Sequence, residues 1–302
     1  MTEEQLNILK GKTILITGGA GFIGSNLCEI LLNTNHINVV CLDNFSTGKR
    51  KNIQPFINNA NFNLIEGDIR ALKDCDVNVS GFLNMLVAAR DAGVKRFVYA
   101  ASSSTYGDHE ALPKVEDTIG KPLSPYAITK YVNELYANIF HTTYNFDTIG
   151  LRYFNVFGRR QDPNGAYAAV IPKFVQQFIN HESPIINGDG SYSRDFTYID
   201  NVVQMNLLAL TTSNKNALNT VYNVAYGDRT TLLQLANLLK EHLSGLDASI
   251  QNIEIKHREN RIGDIPSLAS IEKAKKLLNY NPEYDISSGL KEAVTWYWEH
   301  LK

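Results

Sequence analysis

Residues 12–24 read KTILITGGAGFIG, and this stretch decides the architecture of the chain. The β-branched run KTILIT is typical of a strand buried on both faces of a sheet, and the apolar residues from Phe22 onward recur at helical spacing. Gly18, Gly21 and Gly24 lie between these two elements. A strand, a tight glycine turn and a helix N-terminus in this order form a favourable site for a phosphate group. The stretch therefore predicts an α/β fold that begins with an anion-binding turn.

Strands and helices alternate along the rest of the first half of the chain. Further strands are predicted at 38–43, 61–68, 95–104 and 146–158, and helices at 82–93, 124–140 and 290–301. In the helix at 124–140, Ser124 is a suitable N-cap and Pro125 occupies the first turn. Such an alternation predicts a doubly wound parallel sheet, covered by helices on both sides.

Composition narrows the class of protein. The chain has 302 residues, of which 44% are hydrophobic and 20% charged, as is typical of a soluble globular protein. The net charge of −2 provides no basic face for nucleic acid, and no stretch is long enough to span a membrane. Cys28, Cys41 and Cys75 lack the spacing of a disulfide framework, and the scattered histidines lack that of a metal site. We expect a cytoplasmic protein with reduced thiols and without a metal.

An acidic residue supports a dinucleotide ligand at the glycine turn. Asp43 ends the second predicted strand, 25 residues after Gly18. A carboxylate at this place accepts hydrogen bonds from the ribose hydroxyls of NAD and repels the extra phosphate of NADP. Glycines alone also mark ordinary turns, but their position between a strand and a helix favours the dinucleotide. NAD is the predicted cofactor.

Two further groups of residues indicate chemistry. Tyr126 and Lys130 are four residues apart on one predicted helix, so their side chains share a face. A tyrosine can act as a base when a nearby ammonium stabilises its phenolate. Ser102, Ser103 and Ser104 end a predicted strand, and open α/β sheets place their ligands at such carboxyl ends. At least two of these serines are expected to be an ordinary polar transition into a loop.

Taken together, these stretches resemble the extended short-chain dehydrogenase/reductase family, whose members include NAD-dependent epimerases and dehydratases of nucleotide sugars. The matching motifs are TGGAGFIG, DNFSTG, GDIR, ASSSTYGD, SPYAITK and LRYFNVFGRRQDPNGAY. The chain is most similar to bacterial UDP-N-acetylglucosamine 4-epimerases. The resemblance implies a Rossmann-type fold, with an NAD-binding domain mainly in residues 1–165 and a substrate lobe mainly in 166–302. It also implies a homodimer.

The resemblance also assigns roles to individual residues. Catalysis would rest on Ser102, Tyr126 and Lys130. NAD would be bound by Gly18, Gly21, Phe22, Ile23, Gly24, Asp43, Asn44, Ser46, Gly48, Asp68, Ile69, Asn78, Tyr126, Lys130 and Tyr153. The sugar nucleotide would be bound by Ser102, Ser103, Tyr126, Asn155, Val170, Asn187, Arg194, Arg261 and Ser267.

The implied reaction is inversion at C4 of a UDP-hexose through a 4-keto intermediate, with UDP-N-acetylglucosamine as the substrate. Ser267 is small where some relatives restricted to unacetylated hexoses have a bulky residue, although a one-residue difference in spacing leaves Leu268 as an alternative for this position. A UDP-glucose 4-epimerase therefore remains an alternative function. Dehydratases and decarboxylases place an acid where this chain has Ser104, and a hydroxyl cannot supply that acid–base step. A degenerate NAD-binding protein is a further alternative.

The last alternative arises from the junction 68–85, DIRALKDCDVNVSGFLNM. The family normally has a complete strand and a substrate-contacting loop here, but only residues 71–77 separate Arg70 from Asn78. A full parallel crossover needs roughly 30 residues. Either the sequence omits a segment, or a central strand is absent. In the second case the strand with Ser102 moves by about 4.8 Å into the vacant place or leaves a hole beside it.

Overall fold

The alternation of strands and helices predicted for the chain is present in the computed structural model, which describes residues 2–34, 36–70, 77–163, 169–259 and 266–302. Cys75 and Arg261 lie outside the described residues. The strands are β1 Thr13–Thr17, β2 Asn38–Asp43, β3 Phe62–Glu66, β4 Phe97–Ser102, β5 Thr148–Tyr153, β6 Val156–Phe157, β7 Ile185–Asn187, β8 Ser193–Arg194, β9 Thr197–Tyr198, β10 Thr220–Val224, β11 Thr230–Thr231 and β12 Lys256–Arg258. The helices are α1 Glu3–Leu9, α2 Phe22–Leu32, α3 Arg50–Ile53, α4 Phe82–Asp91, α5 Pro125–Tyr144, α6 Val170–Ile179, α7 Ile199–Thr211, α8 Leu232–Ser244, α9 Glu272–Leu278 and α10 Ile286–Leu301. None of the described helices is long and apolar enough to cross a bilayer.

The glycine turn between β1 and α2 has the predicted geometry. Gly18 has φ +67°, in the left-handed region that favours glycine. A Cβ on Gly24 would lie 2.3 Å from the carbonyl oxygen of Gly18, so only glycine allows α2 to begin this close to the turn. Gly21 is the N-cap of α2 and makes no side-chain cap, which leaves backbone amides of the first turn for a ligand.

The long parallel strands form two three-stranded sheets, in the orders β1-β2-β3 and β10-β5-β4. Within the described part of the chain, no strand pairs with the second edge of β1 or of β4. In the described residues, the strand that carries Ser102 is therefore not paired with β1 and has not moved into the vacant place. We call the β1-β2-β3 sheet the first half-sheet and the β10-β5-β4 sheet the second half-sheet.

The expectation that β1 is buried on both faces is wrong. Ile14 and Ile16 pack on the core, but Leu15, on the opposite face, is 48% exposed. Ile65 of β3 lies on the same face as Leu15 and is 45% exposed. The sequence pattern was that of a strand covered on both faces, and the described residues cover only one face of this sheet.

Helix α7 packs against both half-sheets and so joins them. It lies on the covered face of the first half-sheet and on one of the two covered faces of the second. Val203 and Leu207 of this helix pack with the core of the first half-sheet. Val202 and Met205 pack with the core of the second half-sheet and the C-terminal lobe. One helix therefore belongs to both cores, which keeps the two sheets side by side although none of the described strands links them.

Candidate active site

Asp43 braces the glycine turn. Its Oδ2 accepts a hydrogen bond from the amide of Ala20 at 2.9 Å and its Oδ1 accepts one from the amide of Phe45 at 2.7 Å. A Cβ on Gly48 would come within 2.8 Å of both carboxylate oxygens, so glycine makes room for this carboxylate. Asn52, which the sequence did not single out, donates to the carbonyl of Ala20 from the other side at 2.9 Å. The residues predicted for NAD thus hold each other in place.

A polar cluster lies at the carboxyl ends of β2 and β3. Asn44 donates to Oδ2 of Asp68 at 2.8 Å, and Ser46 donates its amide to Oδ1 of Asn44 at 3.0 Å. Hydrogen bonds from Arg70 hold the pKa of Asp68 well below its usual range. This cluster keeps a negative charge at the edge of the sheet, next to the turn where the adenosine part of a dinucleotide is expected.

The remaining residues predicted for the cofactor connect the turn to other elements. Phe22 and Ile23 pack against the larger core from the first turn of α2. Ile69 packs against Gly81, and the half-buried Asn78 lies on the helical turn Val77–Gly81 before α4.

Tyr153 is anchored at the end of β5. Its hydroxyl donates to Oδ1 of Asn206 on α7 at 3.1 Å, and burial raises the pKa of Tyr153 to about 12. Asn206 is a partner that no sequence motif indicated. Tyr153 therefore bonds to the helix that joins the two half-sheets, which fixes the orientation of its ring.

The three predicted catalytic residues lie on strand β4 and helix α5, which pack against each other. Ser102 ends β4, and its Oγ accepts hydrogen bonds from the amide of Ser104 at 3.2 Å and from Oγ of Ser104 at 2.9 Å. Helix α5 packs on β4 and on the turn Ser103–Tyr106 that follows it. Its first turn carries Tyr126, which is 48% exposed, and the Nζ of Lys130 lies 5.8 Å from the centroid of the Tyr126 ring. Lys130 also donates to the carbonyl of strand residue Ala100 at 2.9 Å.

A cavity of about 600 Å³ lies between α6, β7 and the strands that follow them. The predicted substrate residues that line it are Asn155, Val170, Asn187 and Arg194. Arg258 also lines it, and the sequence analysis missed this residue because it lies outside the recognised motifs. Since β12 pairs with β7, Arg258 is opposite Asn187 and donates to its Oδ1 through Nε. The cavity thus combines apolar walls with two guanidinium groups.

Ser267 is hydrogen-bonded to Asn155, which lines this cavity. The Nδ2 of Asn155 donates to Oγ of Ser267 at 3.2 Å and to the carbonyl of Asp195 at 2.9 Å. The neighbouring Leu268 contributes its carbonyl to the amide of Lys114 at 2.7 Å. The side chain of Ser267 thus bonds to a residue that lines the cavity.

Comparison with known proteins places this fold and site in a family. A model of the NAD dependent epimerase/dehydratase family matches residues 14–76 and 70–225. The chain belongs to this family, and NAD is the cofactor of the family. The two matched segments meet at 70–76, within the short junction. The glycine turn, the bare N-terminus of α2 and the braced Asp43 fit this cofactor.

Individual relatives match over nearly their whole length. The UDP-glucose 4-epimerase of Mycolicibacterium smegmatis is 30% identical over 316 residues, which cover 94% of this chain and 97% of that protein. A crystal structure of the UDP-glucose 4-epimerase of Thermotoga maritima with UDP-glucose is 33% identical, with a TM-score of 0.84 over 96% of this chain and 100% of that one. The UDP-N-acetylglucosamine 4-epimerase of Methanobrevibacter ruminantium M1, solved with UDP-N-acetylmuramic acid, is 34% identical, with a TM-score of 0.85 over 96% and 98%.

Proposed function

We propose that this chain inverts the configuration at C4 of a UDP-hexose, with UDP-N-acetylglucosamine and UDP-N-acetylgalactosamine as the two epimers. The observation that carries the proposal is the packing of α5, with Tyr126 and Lys130, on the strand and turn that hold Ser102. The similarity to UDP-sugar 4-epimerases over nearly the whole chain supports the same activity. Residues 1–165 would hold mainly NAD and residues 166–302 mainly the sugar nucleotide.

Each catalytic side chain has a distinct task in this proposal. Tyr126, as a phenolate, takes the proton of the 4-hydroxyl group, and the ammonium of Lys130 stabilises the phenolate. Because Ser102 already accepts two hydrogen bonds from Ser104, its own O–H is the donor that remains for the sugar oxygen. NAD supplies a hydride acceptor for C4 and, once reduced, the hydride donor. The cofactor ends as it began, so no external oxidant is consumed.

The nucleotide must stay bound while the 4-keto sugar turns over to present its other face. Arg194 in the cavity is suited to a diphosphate, because a guanidinium offers a planar fork of donors to phosphate oxygens. Asn155, Val170 and Asn187 would hold the rest of the nucleotide. Anchoring positions the sugar and also prevents the loss of the ketone intermediate.

The choice between acetylated and unacetylated sugars rests on Ser267. A small side chain at this position would leave room for an acetamido group, and the bond of its hydroxyl to Asn155, which lines the cavity, supports this role. UDP-glucose is the alternative substrate. A dehydratase is less favoured, because Ser104 stands where that activity places an acid, and its hydroxyl is engaged with Ser102.

A second candidate function is favoured by the division of the sheet. The strands that carry the glycine turn and Ser102 belong to different half-sheets. Catalytic groups must be held to within about 0.5 Å, and a strand that supports both sides would contribute to this. A protein that binds NAD and UDP-sugar but turns over slowly is therefore the alternative to an efficient epimerase.

The proposed assembly is a cytoplasmic homodimer. Ile128, Leu135 and Ile139 form an apolar stripe on α5, and each is about half exposed. A second copy of the same helix would cover this stripe. The buried, reduced thiols of Cys28 and Cys41 agree with a reducing compartment.

Incubation of the purified chain with UDP-N-acetylglucosamine and, separately, UDP-glucose tests the function directly. Chromatographic separation of the C4 epimers should show equilibration without added oxidant. Tyr126→Phe should lower the rate by about a hundredfold or more. Tyr144→Phe, at the other end of α5, is the matched control, because Phe preserves the ring contacts of Tyr144 with Phe140 and Arg90. Wild-type protein that binds NAD and UDP but leaves both sugars unchanged would establish the second candidate function instead.

A further inference from the structure

Asp195 is a fully buried carboxylate next to Arg194 of the cavity wall. Its oxygens accept hydrogen bonds from three backbone amides: Tyr226 at 3.1 Å, Gly227 at 3.2 Å and Ala269 at 3.1 Å. No described cationic side chain forms an ion pair with it. Burial raises the pKa of Asp195 to about 7. A buried acid is costly for a fold, so its placement requires an explanation.

The three amides belong to two separate segments of the chain. Residues 225–227 follow β10, and residues 266–270 lead towards α9. The second segment carries Ser267, whose amide donates to the carbonyl of Ser193 at 3.1 Å. Through its carboxylate, Asp195 therefore connects β8 to both segments.

The backbone of Asp195 reaches the cavity residues as well. Its carbonyl accepts the hydrogen bond from Nδ2 of Asn155, and its amide donates to Oγ of Ser267 at 3.4 Å. Asn155 and Ser267 are in turn bonded to each other. Arg194, Asn155 and Ser267 come from distant parts of the sequence, and Asp195 is the residue at which their positions are coupled.

We propose that Asp195 is a positioning residue for the sugar nucleotide, whose carboxylate holds the segments 225–227 and 266–270 so that Arg194, Asn155 and Ser267 form one rigid wall of the cavity. The proposal rests on the proposed function only in taking a nucleoside diphosphate as the ligand of this cavity. Asp195 would not contact the reacting atoms. Its removal should weaken binding in the cavity while leaving the NAD site unaffected, since most residues predicted for that site lie on β1, β2, α2 and the loops beside them, which do not line the cavity.

Asn201 provides a matched control. It is as deeply buried as Asp195, and it also holds a distant segment in place. Its side chain accepts hydrogen bonds from the amides of Glu283 and Tyr284 and donates one to the carbonyl of Tyr284. This segment does not line the cavity. Asn201→Asp and Asp195→Asn are thus reciprocal exchanges of a buried amide and a buried acid, one at a segment that does not line the cavity and one beside it.

The experiment measures the affinities of the full chain for UDP and for NAD by calorimetry, together with the midpoint of thermal unfolding. Asp195→Asn should weaken UDP binding by about tenfold and change NAD binding by less than about twofold. Asn201→Asp should lower the unfolding midpoint and leave the UDP affinity unchanged. Asp195→Asn with wild-type UDP affinity, or equal losses of UDP and NAD affinity, would overturn the proposal.

A milder variant covers the case in which Asp195→Asn does not fold. Ser267→Ala removes the hydroxyl that connects Asn155 with the Asp195 amide and leaves the buried carboxylate intact. It should weaken UDP-sugar binding several-fold at an unchanged unfolding midpoint, and wild-type affinity would count against a rigid wall. UDP binding is measured without turnover, so a chain that binds UDP but does not epimerise still decides this proposal. A wild-type chain that fails to bind UDP would overturn both proposals.

Discussion

The two half-sheets have the same number of parallel strands, but they differ in how they are covered. In the second half-sheet, β5 is buried along nearly its whole length, between α5 on one side and α7 on the other. In the first half-sheet, β1 alternates between exposed and half-buried residues, and Leu15 and Ile65 face solvent. Burial of a strand therefore depends on the helices laid over both faces. A strand sequence of the same apolar character becomes a core element in one half and a surface in the other.

The difference in how the two half-sheets are covered arises in one short stretch of the chain, between β3 and α4. The first half-sheet ends with β3 at Glu66, and the described chain resumes at residue 77 directly before α4, which packs beside β4 and α5. A parallel crossover of normal length would supply a helix for the open face and a strand for the open edge. The expected outcome is a molecule in which the second half-sheet and the C-terminal lobe contribute most of the stability.

The largest expected difference in stability is between the loss of a buried ion pair in the second half-sheet and the loss of an exposed ion pair in the first. In the second half-sheet, Arg152 is bound to Glu134 by two hydrogen bonds of 2.9 Å and 2.7 Å, and both side chains are buried. Glu134→Ala leaves a buried guanidinium without its partner and should lower the free energy of unfolding by about 3–5 kcal/mol. Its control is Glu66→Ala in the first half-sheet, which breaks an exposed pair with Arg50 and should have almost no effect, because solvent screens that pair. Chemical denaturation measures both, and similar losses would contradict the comparison.

Two leucine-to-alanine substitutions, one in each half-sheet, compare the burial of the two sheets without changing any charge. Leu151 of β5 has no exposed surface, so Leu151→Ala should cost about 2–5 kcal/mol through lost burial and the cavity it leaves. Leu15→Ala in β1 should cost less than about 1 kcal/mol, since half of that side chain already contacts water. If urea denaturation showed equal costs, the outer face of the first half-sheet would have to be covered in solution.

The free energy of unfolding is expected to depend on pH with opposite signs in the two regions. The pKa of Asp195 is raised to about 7 by burial, so the folded state holds its proton over a range where the unfolded chain, near 3.8, has released it. Stability from this group is complete below about pH 4 and is lost as the pH rises through about 7, with a slope of up to about 1.4 kcal/mol per pH unit. The groups that act on Asp195 are Asp228, which raises its pKa, and the buried Tyr280.

The check is the free energy of unfolding measured between pH 4 and 7 in wild type and Asp195→Asn. The difference between the two should change over this window. Asp68 in the first half-sheet has a lowered pKa because of Arg70, so its contribution is lost only as the pH falls below the usual range of a carboxyl group. Asp68→Asn should therefore leave the slope between pH 4 and 7 unchanged, and a slope unaffected by Asp195→Asn would contradict the assignment.

Local patterns predicted most elements of the fold. The glycine turn and the Ser124 cap of α5 are confirmed, because short-range sterics and hydrogen bonds determine them. The burial of β1 was predicted wrongly, because a hydrophobic run does not reveal whether another element is present to cover it. The short junction indicated either an omitted segment or an absent central strand, and for the second case the sequence left open whether β4 would shift into the vacant place.

Candidate site residues were predictable where a motif carries them. Ser102, Tyr126 and Lys130 were placed by their motifs, and the structure brings their elements into contact, while their roles stay predictions. Arg258 and Asp195 were missed. Their importance comes from pairing across distant segments, and no spacing along the chain indicates such a pairing.

The sequence by itself determined the glycine turn and the family and predicted the reacting groups, since each depends on residues that are close together in the chain. Only the tertiary structure decided that the sheet divides in two, that α7 joins the halves, and that the buried Asp195 is bonded to Asn155 and Ser267. These features depend on which surfaces find a partner, and burial of an apolar face or of a carboxylate is a property of the whole fold rather than of any one stretch of it.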